Sequence, residues 1–181
     1  SPDAKPRVPH ERTVHLWDGG VYDNLGLEPI DRADLGKGWR KGIDFAIVSD
    51  AAGRSGAEPY QWGVAALQRL FLGIIFDQVR SLRTRMLLRK LAVDKDPGAF
   101  IQSGNDCEYV LTRAGLPRPA IEAWMADCLG PQGVAVADKF KTDIDQLSEA
   151  EFENLFRHGF EVADYTLGGY HPDHFQHVSF A

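Results

Sequence analysis

An α/β domain is the architecture this sequence predicts, and three observations predict it. The run Phe45-Ala46-Ile47-Val48 is continuously apolar, as in a strand covered on both faces of a parallel sheet. The period then changes. Val64, Leu67, Leu70, Phe71, Ile74, Ile75, Val79, Leu82 and Met86 recur at three- and four-residue steps, which specifies a long amphipathic helix. Near the C-terminus, Ser148-Glu149-Ala150-Glu151 opens a second helical pattern as a capping box.

Element by element, residues 1–12 are polar and proline-rich and read as a linker. Thr13 to Trp17 is a β-branched and aromatic run stopped by Asp18-Gly19-Gly20, a strand ending in a tight turn. Val21 to Ile30 reads as a loop or short helical entry, and residues 31–42 as an exposed connection, with three glycines among charges. Ile43 to Ser49 is the second strand. The long helix spans about residues 60–92 and is broken by Pro97-Gly98. Phe100-Ile101 and Tyr109-Val110-Leu111 are expected as short strands. Pro119 to Leu129 is expected as a helix with proline in its first turn and Gly130-Pro131 after its end. The last helix runs from Ser148 to about Leu167, bent at Gly159, and residues 171–181 form a solvated tail.

Composition limits the function classes. With 181 residues the chain suits one domain or part of a larger one, long enough to bury a sizeable core. Hydrophobic residues at 44% and charged residues at 25% exclude a wholly disordered chain. A formal charge of −6 gives nucleic acid no general attraction, so no nucleic-acid partner is expected. Cys107 and Cys128 are too few for a disulfide scaffold and lack zinc-site spacing. The most apolar stretch, Val64 to Phe76, contains Gln68 and Arg69 and is shorter than the roughly 20 residues of a spanning helix.

The segment from Trp17 to Leu27 carries the most chemistry. Asp18 stands at the C-terminal end of a strand, where open α/β sheets place their ligands. Gly19 and Gly20 let the backbone turn tightly and admit a close neighbour. Among Trp17, Val21 and Tyr22, the Asp18 carboxylate would be partly desolvated, which makes it a better general base.

Asp18, Gly19, Gly20, Asn24, Leu25 and Gly26 resemble, in order and spacing, the aspartate motif of the patatin-like phospholipases. Downstream, the strand ending Val48-Ser49-Asp50 and the helix with Asp77-Gln78-Val79-Arg80-Ser81-Leu82-Arg83 are similar to the family in their order, and Thr142-x-Ile144, Leu147 to Leu155 and Gly159 to Asp164 resemble the closing helix of bacterial members. The resemblance runs from about Val14 to about Tyr170. It implies a three-layer α/β/α patatin-like fold, of which residues 13–170 are the C-terminal portion. It also implies hydrolysis of lipid acyl esters by a Ser-Asp dyad without metal or organic cofactor. Asp18 is then the base, supported by Gly19, Gly20 and Asn24. The family's Gly-x-Ser-x-Gly elbow is missing from these 181 residues. Gly53-Arg54-Ser55-Gly56-Ala57 matches it only in composition and follows the aspartate, so Ser55 reads as part of a flexible loop. The nucleophilic serine is therefore expected from an upstream segment or a second chain, and the partner is a lipid or acyl-ester substrate. The alternative is a non-catalytic lipid- or protein-binding module on the same fold.

Other chemistry-bearing residues have plainer readings. Asp23 and Asp50 read as turn and strand-end carboxylates. His171, His174 and His177 recur in steps of three, but Pro172 argues against a helix that would gather them round a metal. His15 reads as a packed or edge residue of the first strand. Arg80, Arg83, Arg85, Arg89 and Lys90 read first as a solvated face paired with local carboxylates, and second as a basic face for peripheral contact with anionic lipid.

Overall fold

Two short strands organise the structure. The computed structural model describes residue 13 and residues 20–31, 38–40, 42–52, 62–94, 97–140 and 146–180. Strand β1 (Ala46–Asp50) and strand β2 (Gly98–Gln102) pair in parallel, in register from Ala46 opposite Gly98 to Asp50 opposite Gln102. Glycine is required at position 98, because a Cβ there would lie 2.6 Å from the Ala46 carbonyl oxygen. Parallel strands need a long crossover. The chain from Val64 to Asp94 supplies it.

A one-turn helix, α1 (Gly20–Asp23), precedes β1. The crossover consists of α2 (Val64–Arg69), a π-turn over Leu70–Ile74, α3 (Ile75–Arg89) and a second π-turn over Lys90–Asp94. The junction residues Arg69, Leu70, Ile74, Ile75 and Lys90 all keep right-handed helical dihedrals, so the rod is continuous. The expected long helix is present. Its two wide turns are not visible in a three-and-four periodicity.

Helices α4 (Cys107–Ala114), α5 (Arg118–Met125), α6 (Pro131–Asp138) and α7 (Glu149–Tyr170) follow β2. The strand expected at Tyr109 to Leu111 is instead the middle of α4. Local caps override the β-propensity of those residues. Asp106 accepts the Tyr109 amide at 2.7 Å, and Gly115 closes the helix at φ 86°. The helix expected over Pro119 to Leu129 ends at Met125. Gly130-Pro131 does terminate that segment, but Pro131 also opens α6, a helix the sequence reading missed. Helix α7 carries the expected capping box and continues past Gly159 to Tyr170 in one piece.

Two apolar clusters meet at β2. Residues of a parallel pair that stand opposite one another share a face. Ala46, Val48 and Phe100 therefore face Leu87 of α3, with Leu27 and Trp39 from the loop before β1. Ile101 faces the other way, into Val110 and Leu111 of α4, Ile121 of α5, and Val162 and Tyr165 of α7. Strand β2 thus has helices on both faces. Ile47 on β1 stays 53% exposed. Tyr165, Leu87 and Leu111 are the largest fully buried side chains, and burying each such leucine contributes about 1.5–3 kcal/mol.

Two expected surface segments are packed instead. Within residues 31–42, Trp39 is buried and its indole N–H donates to the Pro97 carbonyl at 2.6 Å. A large aromatic with one polar edge gains more from burial than its glycine-rich surroundings suggest. The C-terminal tail returns along α7. His171 and Phe175 pack on Phe45, His177 stacks on Trp124 at 4.1 Å, and Phe180 meets Phe156 and Phe160.

Candidate functional site

The strand expected over Thr13 to Trp17, together with His15, Asp18, Gly19 and Ser55, lies outside the described residues apart from Thr13. The second half of the Asp-Gly-Gly segment is described. Gly20 is the first residue of α1, and Asn24 follows in an exposed turn. The Asp23 carboxylate accepts the Glu28 amide at 2.7 Å, and the Asp23 carbonyl accepts the Gly26 amide at 3.1 Å. Gly26 has φ 64°, a left-handed conformation that suits glycine. Asp23 is therefore a turn-former. The turn is tied to α3: Arg83 pairs with Glu28 at 2.8 Å and lies 5.5 Å over the Tyr22 ring.

At the carboxyl end of β1, Asp50 is buried and its Oδ2 is 2.8 Å from the Arg80 guanidinium. Its Oδ1 accepts the Ala52 amide at 3.3 Å, and Arg80 also donates to the Ala52 carbonyl at 2.8 Å. Both carboxylate oxygens are occupied, so Asp50 latches the strand end to α3. Asp50 stands at a strand end as expected, with its partner 30 positions away. The signal available in the chain is Arg80 seven positions before Leu87, on the face that α3 buries.

An open cleft of about 620 Å³ adjoins this latch, lined by polar side chains including Asp77, Arg80, Thr84 and Gln102. It lies at the carboxyl ends of the parallel pair, where α/β sheets bind ligands.

The cations of the crossover helix divide into two groups. Arg80, Arg83 and Lys90 pair with Asp50, Glu28 and Asp31. Lys90 also sits 5.2 Å over the Trp39 ring. Arg83 and Lys90 hold the loop before β1 onto the crossover helix, and Arg80 holds the end of β1. Arg85 and Arg89 are exposed, with Leu82 and Met86 exposed on the same helix. No described helix is long and apolar enough to cross a membrane.

The C-terminal histidines do not converge. His171 Nε2 is 2.7 Å from the Gly98 carbonyl, and His177 Nδ1 is 2.6 Å from an Asp164 carboxylate oxygen. A carbonyl can only accept, so the His171 proton lies on Nε2. Among the described residues no three metal-ligating side chains form a group.

Two features lay beyond the sequence reading. Cys107, buried, and Cys128, half-buried, meet in the apolar cluster of α4, α5 and α7. The neighbouring thiol, with burial added, raises the Cys107 pKa, and Cys107 in turn lowers that of Cys128. Their separation of 21 positions gives no local signal. The second feature is His158 on α7, buried, with Nε2 accepting the Gly104 amide at 3.0 Å. Its proton is therefore on Nδ1, which is buried without a hydrogen-bond partner among the described residues. Burial lowers its pKa, against the opposing pull of Glu161 and Asp138.

Comparison of the chain with protein-family models, with curated proteins and with solved structures finds no match.

Proposed function

We propose that this chain is the base-bearing portion of a lipid acyl hydrolase that uses a Ser-Asp dyad. The observation that carries the reading is the sequence Asp18-Gly19-Gly20 followed by Asn24-Leu25-Gly26. The local structure is compatible with it, since a helical turn starts at Gly20 and Gly26 takes the positive φ that such a turn needs. The mixed α/β arrangement, with helices on both faces of β2, is what part of a three-layer patatin-like domain would contain.

In this reading Asp18 takes the proton of a serine supplied from outside these residues. The serine oxygen attacks the ester carbonyl, and the alcohol leaves with that proton. Water then attacks the acyl-enzyme. Asp18 accepts its proton, the serine is restored and the fatty acid departs. Peripheral contact with anionic lipid belongs to the same proposal. Arg85 and Arg89 beside exposed Leu82 and Met86 would provide it.

The experiment is fluorophosphonate labelling and ester hydrolysis by the polypeptide that carries the serine segment together with this chain, with Asp18→Asn alongside. Losing a general base costs about 10²- to 10⁴-fold. Activity above about 10% in Asp18→Asn rejects Asp18 as the base. No labelling of any serine leaves the non-catalytic binding module as the better reading.

A further inference from the structure

A second cavity, of about 710 Å³, lies between the end of the crossover helix, β2, α4 and the end of α7. Its volume falls within the range of about 300–1,000 Å³ typical of small-molecule sites. Leu88, Leu91, Phe100 and Val110 form aliphatic and aromatic walls. Among the described residues no aspartate or glutamate lines it, and Arg113 is the one formal cation that does.

Arg80, Arg83, Arg118 and Arg157 each pair with a carboxylate, whereas Arg85, Arg89 and Arg113 do not among the described residues, and of these three it is Arg113 that lines the cavity. Arg113 has no carboxylate partner among the described residues, and its guanidinium lies 5.7 Å over the Tyr109 ring at the cavity wall. Its charge is also felt at the Tyr170 phenol across the opening, where it opposes the upward shift that burial causes. A cavity whose surface is mainly apolar, with polar groups such as Gln102 and Thr166 beside one guanidinium and no anion among the described residues, is complementary to a ligand with an apolar body and one anionic end. Guanidinium presents paired N–H donors in a plane, which matches a carboxylate better than a spherical anion.

We infer that this cavity is a binding site for a monoanionic fatty carboxylate, the chain lying against Leu88, Leu91, Phe100 and Val110 and the headgroup on Arg113. The site is built from Leu88, Leu91, Phe100, Val110 and Arg113 and does not require that the protein hydrolyse anything. Its occupant would be the free acid and not the ester, because an ester offers no charge to Arg113.

The test is calorimetric titration of the 181-residue chain with decanoate, kept below its micelle concentration, and with decanol as the neutral counterpart. One saturable decanoate site is expected, with decanol at least tenfold weaker. Arg113→Met should weaken decanoate at least tenfold, which is about 1.4 kcal/mol. Lys139→Met, outside the cavity, should leave affinity unchanged, and Leu91→Trp should occlude the site. No saturable heat overturns the inference. So does equal affinity for decanol and decanoate, or unsaturable uptake indifferent to Arg113→Met and Leu91→Trp, which would mark adsorption on the exposed face of the crossover helix. The comparison of the two ligands on the unaltered chain decides the matter even if a variant fails to fold.

Discussion

Replacing Arg80 by methionine should be among the most destabilising single changes on the surface of α3. Methionine keeps the length of the side chain and its helix propensity, so the change removes charge and hydrogen bonds but little packing. What remains is the Asp50 carboxylate at 1% side-chain exposure, without the guanidinium 2.8 Å away. Breaking a buried ion pair from one side costs about 3–5 kcal/mol, because the surviving charge is left desolvated and unpaired. Arg80 itself is 19% exposed, so some water can replace it, and the lower end applies: about 3 kcal/mol. For a chain of this length that corresponds to a fall in Tm of roughly 6–12 °C. The assay is urea unfolding followed by far-UV circular dichroism, where the midpoint should fall without a change in slope. Asp50→Asn combined with Arg80→Met removes the orphaned charge, keeps an acceptor for the Ala52 amide, and should recover about 2 kcal/mol of the loss. A loss below about 1 kcal/mol for Arg80→Met, with no recovery in the double variant, would show that solvent screens the pair and that the strand end is not latched by it.

Three further outcomes follow from particular residues. His158 is neutral when folded, with its pKa lowered by burial, whereas the unfolded imidazole titrates near about 6.5. Its contribution is therefore present above that pH and is lost as pH falls below it, at up to about 1.4 kcal/mol per unit, until the folded group itself protonates. His158→Gln should flatten this slope between pH 6.5 and 5, and an unchanged slope would refute the assignment. Gly104→Ala should cost about 1–3 kcal/mol in the same urea assay, because φ is 80° there and a Cβ would overlap the Asp138 carboxylate. Wild-type stability would contradict that geometry. Cys128 should alkylate with iodoacetamide well before Cys107 at pH 8, since Cys107 is buried and its pKa raised while Cys128 is half-buried and its pKa lowered by the neighbouring thiol. Peptide mapping showing equal rates, or Cys107 first, would refute that ordering.

Much of the architecture is local and so was readable in the chain. The continuous apolar run up to Val48 marked β1 as a strand, but the expected cover on both faces is met on one only, since Ile47 and Ser49 stay exposed. Three-and-four periodicity marked the crossover helix, and Ser148 with Glu151 fixed the start of α7 through reciprocal hydrogen bonds within four residues. The Asp18-Gly19-Gly20 motif, from which the functional reading comes, was likewise a matter of sequence alone.

Tertiary structure decided what depends on residues distant in the chain. Tyr109 to Leu111 have strand-like side chains, yet their Asp106 and Gly115 caps and burial against α7 make them helical. Trp39 lies in a glycine-rich stretch that looks exposed until Pro97, 58 positions away, accepts its N–H. The C-terminal tail looks solvated until Phe45 and Trp124 present rings to it. Asp50 finds Arg80 and Cys107 finds Cys128 only after the helices have packed. The physical reason is common to all of these. Backbone propensity and capping energies are set within a few residues, whereas the burial of a charge, a thiol or an indole is set by whichever element the fold places against it.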